Sequence, residues 1–366
     1  MTFHLENRLL ARKKLGNLRR LQVHSNLIDF ASNDYLGLAK SPLLKRATLQ
    51  KWIFSPHLLG STGSRLLTGN SAYVERLEKK IATFHGYEEG LLFNCGYMAN
   101  LGLLSCIAGE KEAILFDAHI HASSRDGIRL SQASSFPFRH NDLYHLETRL
   151  KNTNSFKDRF ICIESIYSTD GSKAPLIDIC NLANQYGAHL IVDEAHAVGI
   201  YGPEGKGLVA QEGLTSQVFA QITTFGKALG CFGAIVLGSP ILKEALINLA
   251  TSYIYTTALP FPALAAIDCS YDLFPSLEKE RLYLQKLITQ VQKYHPKASN
   301  SPIQSIPIQG NSSVKQASQR LLQQGFDVRA LTSPTVQKGH ESLRVCLHAF
   351  NTEEELTSLC KSLFHE

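Results

Sequence analysis

Two short stretches of the chain carry side chains suited to acid–base or nucleophilic chemistry. Residues 193–196 read Asp-Glu-Ala-His after an apolar run, and Lys227 lies further along, between Gly226 and Ala228. A lysine in such an apolar setting is expected to lose solvent, which lowers its pKa and favours the free amine that a Schiff base needs. A lone lysine is more often a surface residue whose stem packs on the protein. The argument for Lys227 therefore depends on what accompanies it.

The Asp-Glu-Ala-His stretch also has the form of a motif found in nucleotide-driven helicases, where the first acid holds magnesium. That function requires a phosphate loop of the pattern G-x-x-x-x-G-K-[ST]. Gly-Lys pairs occur only at 205–206 and 226–227, and neither has the first glycine of the loop or the Ser or Thr that follows it. The sequence therefore excludes a helicase of this type.

A third candidate precedes both stretches. Residues 94–98 (NCGYM) follow an apolar strand pattern and open an apolar helix pattern at 100–107. Backbone N–H groups at such a helix start bind phosphate. Pyridoxal phosphate chemistry needs a lysine for the Schiff base, an aspartate at the ring nitrogen and a helix start for the phosphate. The sequence therefore predicts a pyridoxal-phosphate site built from Lys227, Asp193 and this helix start.

Alternating strand and helix patterns must position these residues. Buried apolar strands separated by helices indicate a mainly parallel sheet covered on both faces, and ligands bind at the carboxyl ends of such strands. We expect strands at 90–93, 113–116, 159–165, 189–193 and 233–237, with helices at 70–86 and 175–186.

The last part of the chain has a different pattern, which predicts a smaller α+β domain. Its expected elements are a helix after Glu278, a Pro- and Ser-rich connection at 298–308, a helix near 313–324, a strand near 343–347, and a final helix that opens with the capping box Thr352-x-x-Glu355. The predicted division is an N-terminal helix and arm at 1–45, a large domain at 46–280 and a small C-terminal domain at 281–366.

Positive charge is concentrated near the N-terminus. The 366 residues carry a net charge of +5, and residues 8–20 (RLLARKKLGNLRR) contain six Lys or Arg and no acid. The rest of the chain is nearly balanced, so a nucleic-acid surface is not predicted. The stretch is either a patch that binds an anionic ligand or an amphipathic helix whose Leu9, Leu10, Leu15 and Leu18 face inward.

Eight cysteines are scattered through the chain without a C-x-x-C pair, which indicates reduced thiols and excludes a zinc site of that type.

No uninterrupted apolar stretch approaches the roughly 18 residues of a membrane span, and no signal-peptide pattern opens the chain. The 44% of apolar residues can build a sizeable core. We expect a cytoplasmic protein that binds no metal and no membrane.

Motifs along nearly the whole chain resemble those of one family, the α-oxoamine synthases, which are pyridoxal-phosphate enzymes. The resemblance implies a fold-type I transferase, with a mainly parallel sheet in its large α/β domain, that forms a homodimer with its sites at the subunit interface. The matching stretches, in the family's order, are 31–38 (ASNDYLGL), 60–70 (GSTGSRLLTGN), 116–127 (FDAHIHASSRDG), 164–171 (ESIYSTDG), 192–199 (VDEAHAVG), 223–230 (TTFGKALG), 255–260 (YTTALP) and 342–347 (SLRVCL).

The resemblance also implies which residues surround the cofactor. Lys227 would form the Schiff base and remove the α-proton, Asp193 would keep the pyridine nitrogen protonated, and His121 would stack on the ring. The remaining implied contacts are Ser168 and His196 at the phenolic oxygen, Thr224 with the backbone of Gly96 and Tyr97 at the phosphate, and Thr256 or Thr257 at the phosphate of the partner subunit.

The substrates implied by the resemblance are an amino acid and an acyl thioester. Arg344 would bind the amino-acid carboxylate, and Asn33, Arg19 and Thr335 would contact substrate. Four combinations occur in the family: alanine with a pimeloyl thioester, glycine with acetyl-CoA, glycine with succinyl-CoA, and serine with a long acyl-CoA.

Two stretches, 60–70 and 116–130, are most similar to family members that join alanine to a pimeloyl group in biotin synthesis. A pimeloyl carboxylate would give Arg19 a partner. One departure is Thr332, where such members often have an Arg before Pro-Pro-Thr-Val, and it leaves the acyl pocket and the acyl carrier, coenzyme A or a carrier protein, open. The alternative of another class is a silent relative that binds the cofactor and makes no product.

Overall fold

The computed structural model describes residues 3–23 and 25–364. These residues form two units with separate sheets. The larger unit comprises 36–167 and 173–281, and the smaller comprises the residues up to Tyr35, the short segment 168–172 and the residues from Leu282 onward. The division expected from the sequence at residues 45 and 280 stays a prediction.

Helices and strands alternate along most of the chain. The helices are α1 (Phe3–Lys14), α2 (Pro42–Ile53), α3 (Ala72–His85), α4 (Gly96–Cys106), α5 (Ala122–Leu130), α6 (Leu143–Asn152), α7 (Leu176–Tyr186), α8 (Leu208–Gln211), α9 (Pro240–Leu249), α10 (Thr251–Ile254), α11 (Phe261–Leu273), α12 (Glu278–Tyr294), α13 (Asn311–Gln323) and α14 (Glu353–Phe364). The strands are β1 (Ile28–Asp29), β2 (Glu89–Phe93), β3 (Ala113–Asp117), β4 (Ser134–Phe138), β5 (Arg159–Glu164), β6 (His189–Asp193), β7 (Val218–Thr224), β8 (Ala234–Gly238), β9 (Ile303–Pro307), β10 (Phe326–Asp327), β11 (Arg329–Leu331) and β12 (Ser342–Cys346).

The larger unit is built on a seven-stranded sheet in the order β2-β8-β7-β6-β5-β3-β4. Strands β3 to β7 pair in parallel, and β8 is antiparallel to both of its neighbours, β7 and β2. The predicted mainly parallel sheet is therefore confirmed. Its central strands are almost entirely apolar because both faces are buried.

Local sequence signals set the ends of several helices in this unit. Ser71 caps the start of α3 by accepting a hydrogen bond from the Val74 N–H, and Gly86 ends it with a φ of 79°. Gly187 ends α7 in the same left-handed conformation. An apolar cluster packs beneath helix α4, and Leu103 and Ile114 in it are 0% exposed.

The smaller unit contains a three-stranded antiparallel sheet, in the order β11-β12-β9, and a parallel pair of β1 with β10. The capping box predicted for the last helix is present. The Glu355 N–H donates to the Thr352 hydroxyl (3.1 Å), and the Thr352 N–H donates to the Glu355 carboxylate (2.9 Å).

Two expectations from the sequence are wrong, and two strands of the larger sheet were not predicted. The leucines predicted to face inward near the N-terminus are not covered, since no residue of α1 is buried and Leu9, Leu10 and Leu15 are 52–63% exposed. The helix also ends at Lys14, and Leu18 beyond it is only half-buried. The described chain offers these side chains no apolar surface to pack on.

The stretch 298–308 is not only a connection, because it contains strand β9. Strands β4 and β7 are absent from the elements predicted above. β4 contains Pro137, which an edge strand tolerates because one side of it needs no hydrogen-bond partner. β7 contains Gln221, which is buried and accepts a hydrogen bond from the Tyr87 hydroxyl (3.0 Å). These residues interrupt the apolar pattern that marks a strand.

Among the residues that the structure describes, no helix combines the length and the hydrophobicity needed to cross a membrane. None of the eight cysteines, all of which lie in the described part of the chain, forms a disulfide, and five of them are buried.

Candidate active site

The larger unit places two of the predicted residues at one edge of its sheet. Strand β6 ends at Asp193 and its parallel neighbour β7 ends at Thr224, so both residues lie at the carboxyl edge. In open α/β sheets this edge is where ligands bind. Lys227 follows β7 directly and belongs to the same edge.

Lys227 lies in a turn that backbone hydrogen bonds close. The Phe225 N–H donates to the Gly233 carbonyl (2.9 Å), and the Cys231 N–H donates to the Phe225 carbonyl (2.7 Å). Nζ of Lys227 lies 2.9 Å from Nε2 of His196, which is buried in the segment after β6. An amine and an imidazole at this distance can exchange a proton. This pair is the main acid–base candidate of the unit.

A chain of hydrogen bonds leads from Asp193 to His121. The Asp193 Oδ1 accepts from the Ala195 N–H (2.9 Å), and its Oδ2 accepts from Nδ2 of Asn100 (2.8 Å). The same nitrogen donates to Oγ of Ser123 (3.2 Å), which lies 2.7 Å from Nδ1 of His121. Asn100 and Ser123 are not among the residues predicted from the sequence. One sequence signal could have indicated Asn100: it is an asparagine inside the otherwise apolar pattern of helix α4, and a buried amide must find polar partners.

The surroundings of His121 favour its neutral form. Loss of solvent lowers the pKa of His121 below its usual value; Asp193 acts in the opposite direction, and the Lys227 charge lowers the pKa further. The Ser123 backbone N–H donates to Nδ1 (3.2 Å), so the hydrogen bonds assign the ring proton to Nε2. A neutral imidazole can stack on a cofactor ring without placing a second positive charge beside Lys227.

Backbone donors at the start of α4 lie beside Thr224. The helix begins at Gly96, and its N-cap residue Cys95 makes no side-chain hydrogen bond to it. A Cβ at Gly96 would meet Cγ2 of Thr224 at 2.4 Å, so this approach requires glycine. The Thr224 hydroxyl oxygen is buried and has no hydrogen-bond partner among the described residues. Helix-start N–H groups and an orphaned hydroxyl together fit a phosphate group.

Three further predicted residues lie around this helix start. The Tyr97 hydroxyl donates to a carboxylate oxygen of Asp126. Nδ2 of Asn94 donates both to Oγ1 of Thr256 (3.0 Å) and to the carbonyl oxygen of Thr257 (2.9 Å). Asn94 therefore ties the segment after α10 to the end of β2.

Glu194, the second residue of the Asp-Glu-Ala-His stretch, is fully buried and faces the interior of the unit. Its carboxylate accepts hydrogen bonds from the N–H groups of Leu208 (3.0 Å) and Val209 (3.3 Å). Burial raises the pKa of Glu194 to about 7, because these hydrogen bonds offset only part of the loss of solvent. Glu194 thus fastens the segment that carries His196 to helix α8.

The smaller unit contains the residues predicted to bind the amino acid. Nε of Arg344, in β12, donates to the Ser168 carbonyl oxygen (2.7 Å), and its Nη2 donates to Oδ1 of Asn33 (3.0 Å). The Tyr35 hydroxyl donates to the same Asn33 oxygen (3.1 Å). These bonds orient a guanidinium group whose planar shape matches a carboxylate. The contact with Ser168 uses its backbone, not its hydroxyl.

Arg19 and Thr335, both predicted to contact substrate, are in contact within the smaller unit. Nη2 of Arg19 donates to Oγ1 of Thr335 (3.0 Å). Beside them, Nδ2 of Asn17 donates to the Ser333 carbonyl oxygen (2.9 Å). The segment after α1 is therefore held against the loop that follows β11.

The structure thus gathers the predicted residues into two groups. In the larger unit Lys227, Asp193, His196, His121 and Thr224 belong to one sheet edge with the start of α4. In the smaller unit Arg344 is joined to Asn33 and Ser168, and Arg19 is joined to Thr335. The catalytic and binding roles of these residues stay predictions.

Comparisons with known proteins identify the family. The family model for aminotransferase class I and II matches residues 25–363. A protein of Emericella nidulans named 8-amino-7-oxononanoate synthase is 41% identical, over 97% of this chain and 91% of its own length. A protein of the same name from Marinobacter nauticus is 39% identical, over 92% of this chain and 86% of its own length.

Solved structures agree with these relatives. A serine palmitoyltransferase from S. paucimobilis matches with a TM-score of 0.90 and 26% identity, over 99% of this chain and 97% of that one. An 8-amino-7-oxononanoate synthase from Francisella tularensis matches with a TM-score of 0.79 and 29% identity, over 92% and 96% of the two chains. The fold-type I transferase architecture is therefore confirmed. The chain belongs to the aminotransferase class I and II family and, within it, to the α-oxoamine synthases.

Proposed function

We propose that the chain catalyses the decarboxylative condensation of L-alanine with a pimeloyl thioester, which yields 8-amino-7-oxononanoate, carbon dioxide and a free thiol for biotin biosynthesis. Relatives named for this product are 36–41% identical over at least 92% of the chain. The observation that carries the proposal is Lys227 Nζ at 2.9 Å from His196, at the sheet edge that also presents Asp193. No such arrangement is needed for a protein that only binds a ligand.

The cofactor is pyridoxal 5′-phosphate, which when bound withdraws electrons from the α-carbon of the amino acid. Lys227 would hold it covalently, Asp193 would hold its ring nitrogen, and His121 would lie against its ring. The backbone at Gly96 and Tyr97, with the orphaned hydroxyl of Thr224, would hold its phosphate. The Ser168 hydroxyl would accompany His196 at the phenolic oxygen.

Lys227 is proposed to do the proton chemistry. Its amine, once displaced by the amino group of alanine, takes the α-proton as general base. His196 Nε2 lies within hydrogen-bond distance and can hold or return that proton. The α-carbon of alanine then bonds to the acyl carbon of the thioester as the carbon–sulfur bond breaks and the thiol leaves. Carbon dioxide is lost next, and a proton returned to the α-carbon completes the balance.

Arg344 is proposed to orient alanine. Two of its N–H groups are committed to Ser168 and Asn33, which fixes the plane of the guanidinium and leaves further donors for the substrate carboxylate. Arg19, joined to Thr335, is proposed to bind the far carboxylate of the pimeloyl group. Thr332 removes the arginine that related enzymes often place there, so Arg19 would supply this charge alone.

We also propose a homodimer in the cytoplasm, with Thr256 or Thr257 reaching the phosphate of the partner's site. Several large apolar side chains are strongly exposed in the isolated chain, among them Phe54 at 86% and Leu67 at 80%, together with Tyr255 at 83%. Surfaces of this kind are typical of protein interfaces. Eight cysteines without a disulfide in the described part of the chain support a reducing compartment.

A mass-spectrometric competition assay tests the proposed reaction. The purified protein with pyridoxal phosphate receives alanine, glycine and serine together with pimeloyl, acetyl, succinyl and palmitoyl thioesters, each as its coenzyme A ester, and pimeloyl also on an acyl carrier protein. We expect 8-amino-7-oxononanoate as the dominant ketone. A different single ketone would overturn the substrate assignment, and a cofactor absorbance band without any ketone would identify a silent relative.

A further inference from the structure

A line of buried polar side chains crosses the contact between helices α4 and α5. Asn100 is 2% exposed, Ser123 is 0% exposed and Asp193 is 6% exposed. The hydrogen bonds that connect them, of 2.8 and 3.2 Å, both start from one nitrogen, Nδ2 of Asn100. Buried polar groups cost free energy unless they are paired, so an apolar contact would be the simpler way to join two helices.

The Asn100 amide keeps one unpaired atom. Its Oδ1 is buried and accepts no hydrogen bond from the described residues, which costs about 1–3 kcal/mol. Turning the amide over would not remove this cost, because Oδ1 would then face the Asp193 carboxylate, and two acceptors repel each other. The two donations from Nδ2 therefore fix the amide in one orientation. The two hydrogen bonds that Nδ2 of Asn100 donates are therefore what the side chain contributes in return for the cost of its unpaired oxygen.

We propose that Asn100 is a positioning residue for the reaction, which fixes the Asp193 carboxylate and, through Ser123, the tautomer of the His121 ring. The two hydrogens of one nitrogen serve these two residues, so neither can turn without losing a bond to the same amide. Ser123 accepts from Asn100 and donates its own proton to Nδ1 of His121, which leaves the ring proton on Nε2. The inference rests on the proposed function for the roles of Asp193 and His121 at the cofactor.

Helix α4 links this amide to the proposed phosphate donors. Asn100 lies one turn after Gly96 on the same helix, so the amide and the helix-start N–H groups are held by one rigid element. Gly127 allows α5 to come close, since a Cβ there would meet the Asn100 carbonyl oxygen and Cβ of Leu104, each at 2.9 Å. This close approach brings Ser123 within reach of Asn100.

The test compares Asn100→Leu, which has a similar volume and no N–H group, with Ser123→Ala in the full-length protein. Two quantities are measured: the dissociation constant of pyridoxal phosphate by absorbance, and the tautomer of His121 by nitrogen NMR of histidine-labelled protein, with His121→Gln to assign the signal. We expect Asn100→Leu to raise the dissociation constant at least about tenfold, because a hydrogen bond to a charged group is lost, and to mix the two tautomers. Ser123→Ala is expected to mix the tautomers and to change the dissociation constant by less than about threefold.

The matched control is Leu104→Ala, which creates a cavity in the same helix without touching the polar line. It is expected to lower the melting temperature and to leave both quantities as in the wild type. The inference is overturned if Asn100→Leu changes neither quantity, or changes them no more than Leu104→Ala does. Since neither readout requires turnover, a failure of the proposed reaction in the competition assay is distinguished from a failure of this inference.

Discussion

The two groups of predicted site residues are held in different ways. In the larger unit most of the partners are buried: half-buried Lys227 lies against the buried His196, and the buried Asp193 is bound by the buried Asn100, at the carboxyl edge of the parallel sheet. In the smaller unit Arg344 is only partly buried, and Arg19 is exposed and held by one hydroxyl. A buried network permits one arrangement, whereas an exposed side chain exchanges its partner for water at little cost. We therefore expect substitutions at the site in the larger unit to have large effects, and substitutions at the site in the smaller unit to have smaller, graded effects on substrate binding.

The largest effect is expected at Lys227. In Lys227→Ala no amine remains to hold the cofactor or to remove the α-proton, so product formation should fall by at least about 10⁴-fold. Mass spectrometry of the ketone measures this loss. The exposed Lys79 provides a matched control, and Lys79→Ala should keep wild-type turnover. Turnover of Lys227→Ala within tenfold of the wild type would contradict the role proposed for this residue.

The second largest effect is expected on stability, because the protonation of Glu194 makes the free energy of unfolding depend on pH. Its pKa is raised to about 7 by burial, against 4.5 for an ordinary glutamate. Between these two pH values the folded chain binds a proton that the unfolded chain does not, so the contribution of Glu194 is fully present below pH 4.5 and is lost as the pH rises through 7. The loss amounts to roughly 3 kcal/mol in the free energy of unfolding.

Denaturant unfolding of the wild type and of Glu194→Gln at pH 5, 6, 7 and 8 measures this effect. As the pH rises from 5 to 8, the unfolding free energy of the wild type should fall relative to that of Glu194→Gln, because glutamine has no proton to lose. A difference that stays constant from pH 5 to 8 would show that Glu194 does not titrate in this range.

Arg344 should give a smaller and graded effect. Arg344→Lys keeps the charge and loses the planar pair of donors, so the KM for alanine should rise roughly 10- to 100-fold while kcat changes less. The matched control is Arg329→Ala, since Arg329 lies opposite Arg344 in the same small sheet and is exposed. If the kcat of Arg344→Lys fell and the KM for alanine did not change, Arg344 would not be the carboxylate-binding residue.

The same comparison explains how much the sequence could predict. Strands β3, β5 and β6 were predictable because each is a nearly continuous apolar run, and the residues at their ends, such as Asp193, followed directly. Strand β7 was missed because Gln221 interrupts its apolar run, and the amide oxygen of this buried residue is satisfied by Tyr87, a partner distant in sequence. Asn100 was missed for the same reason, since its partners Asp193 and Ser123 come from other elements.

The N-terminal segment shows a different limit of the sequence. The leucines of α1 have helical spacing, but spacing alone does not tell whether a covering surface exists, and none of the described chain covers them. The contact of Arg19 with Thr335 joins residues from opposite ends of the chain, so no local pattern could indicate it. The family motifs placed both residues at the substrate, and the structure adds that they touch.

That contact leads to the smallest expected effect. Arg19 is exposed, and exposed charge pairs contribute about 0.2–1 kcal/mol, so Arg19→Ala should raise the KM for the pimeloyl thioester only about two- to fivefold. Thr335→Ala should have a smaller effect in the same direction, because it removes the bond that orients the guanidinium. The heptanoyl thioester has the same chain length without the far carboxylate, and its KM should not change in either variant. Arg20→Ala, beside Arg19, is the matched control. An equal rise in KM for both thioesters would show that Arg19 acts on the common thioester part and not on the far carboxylate.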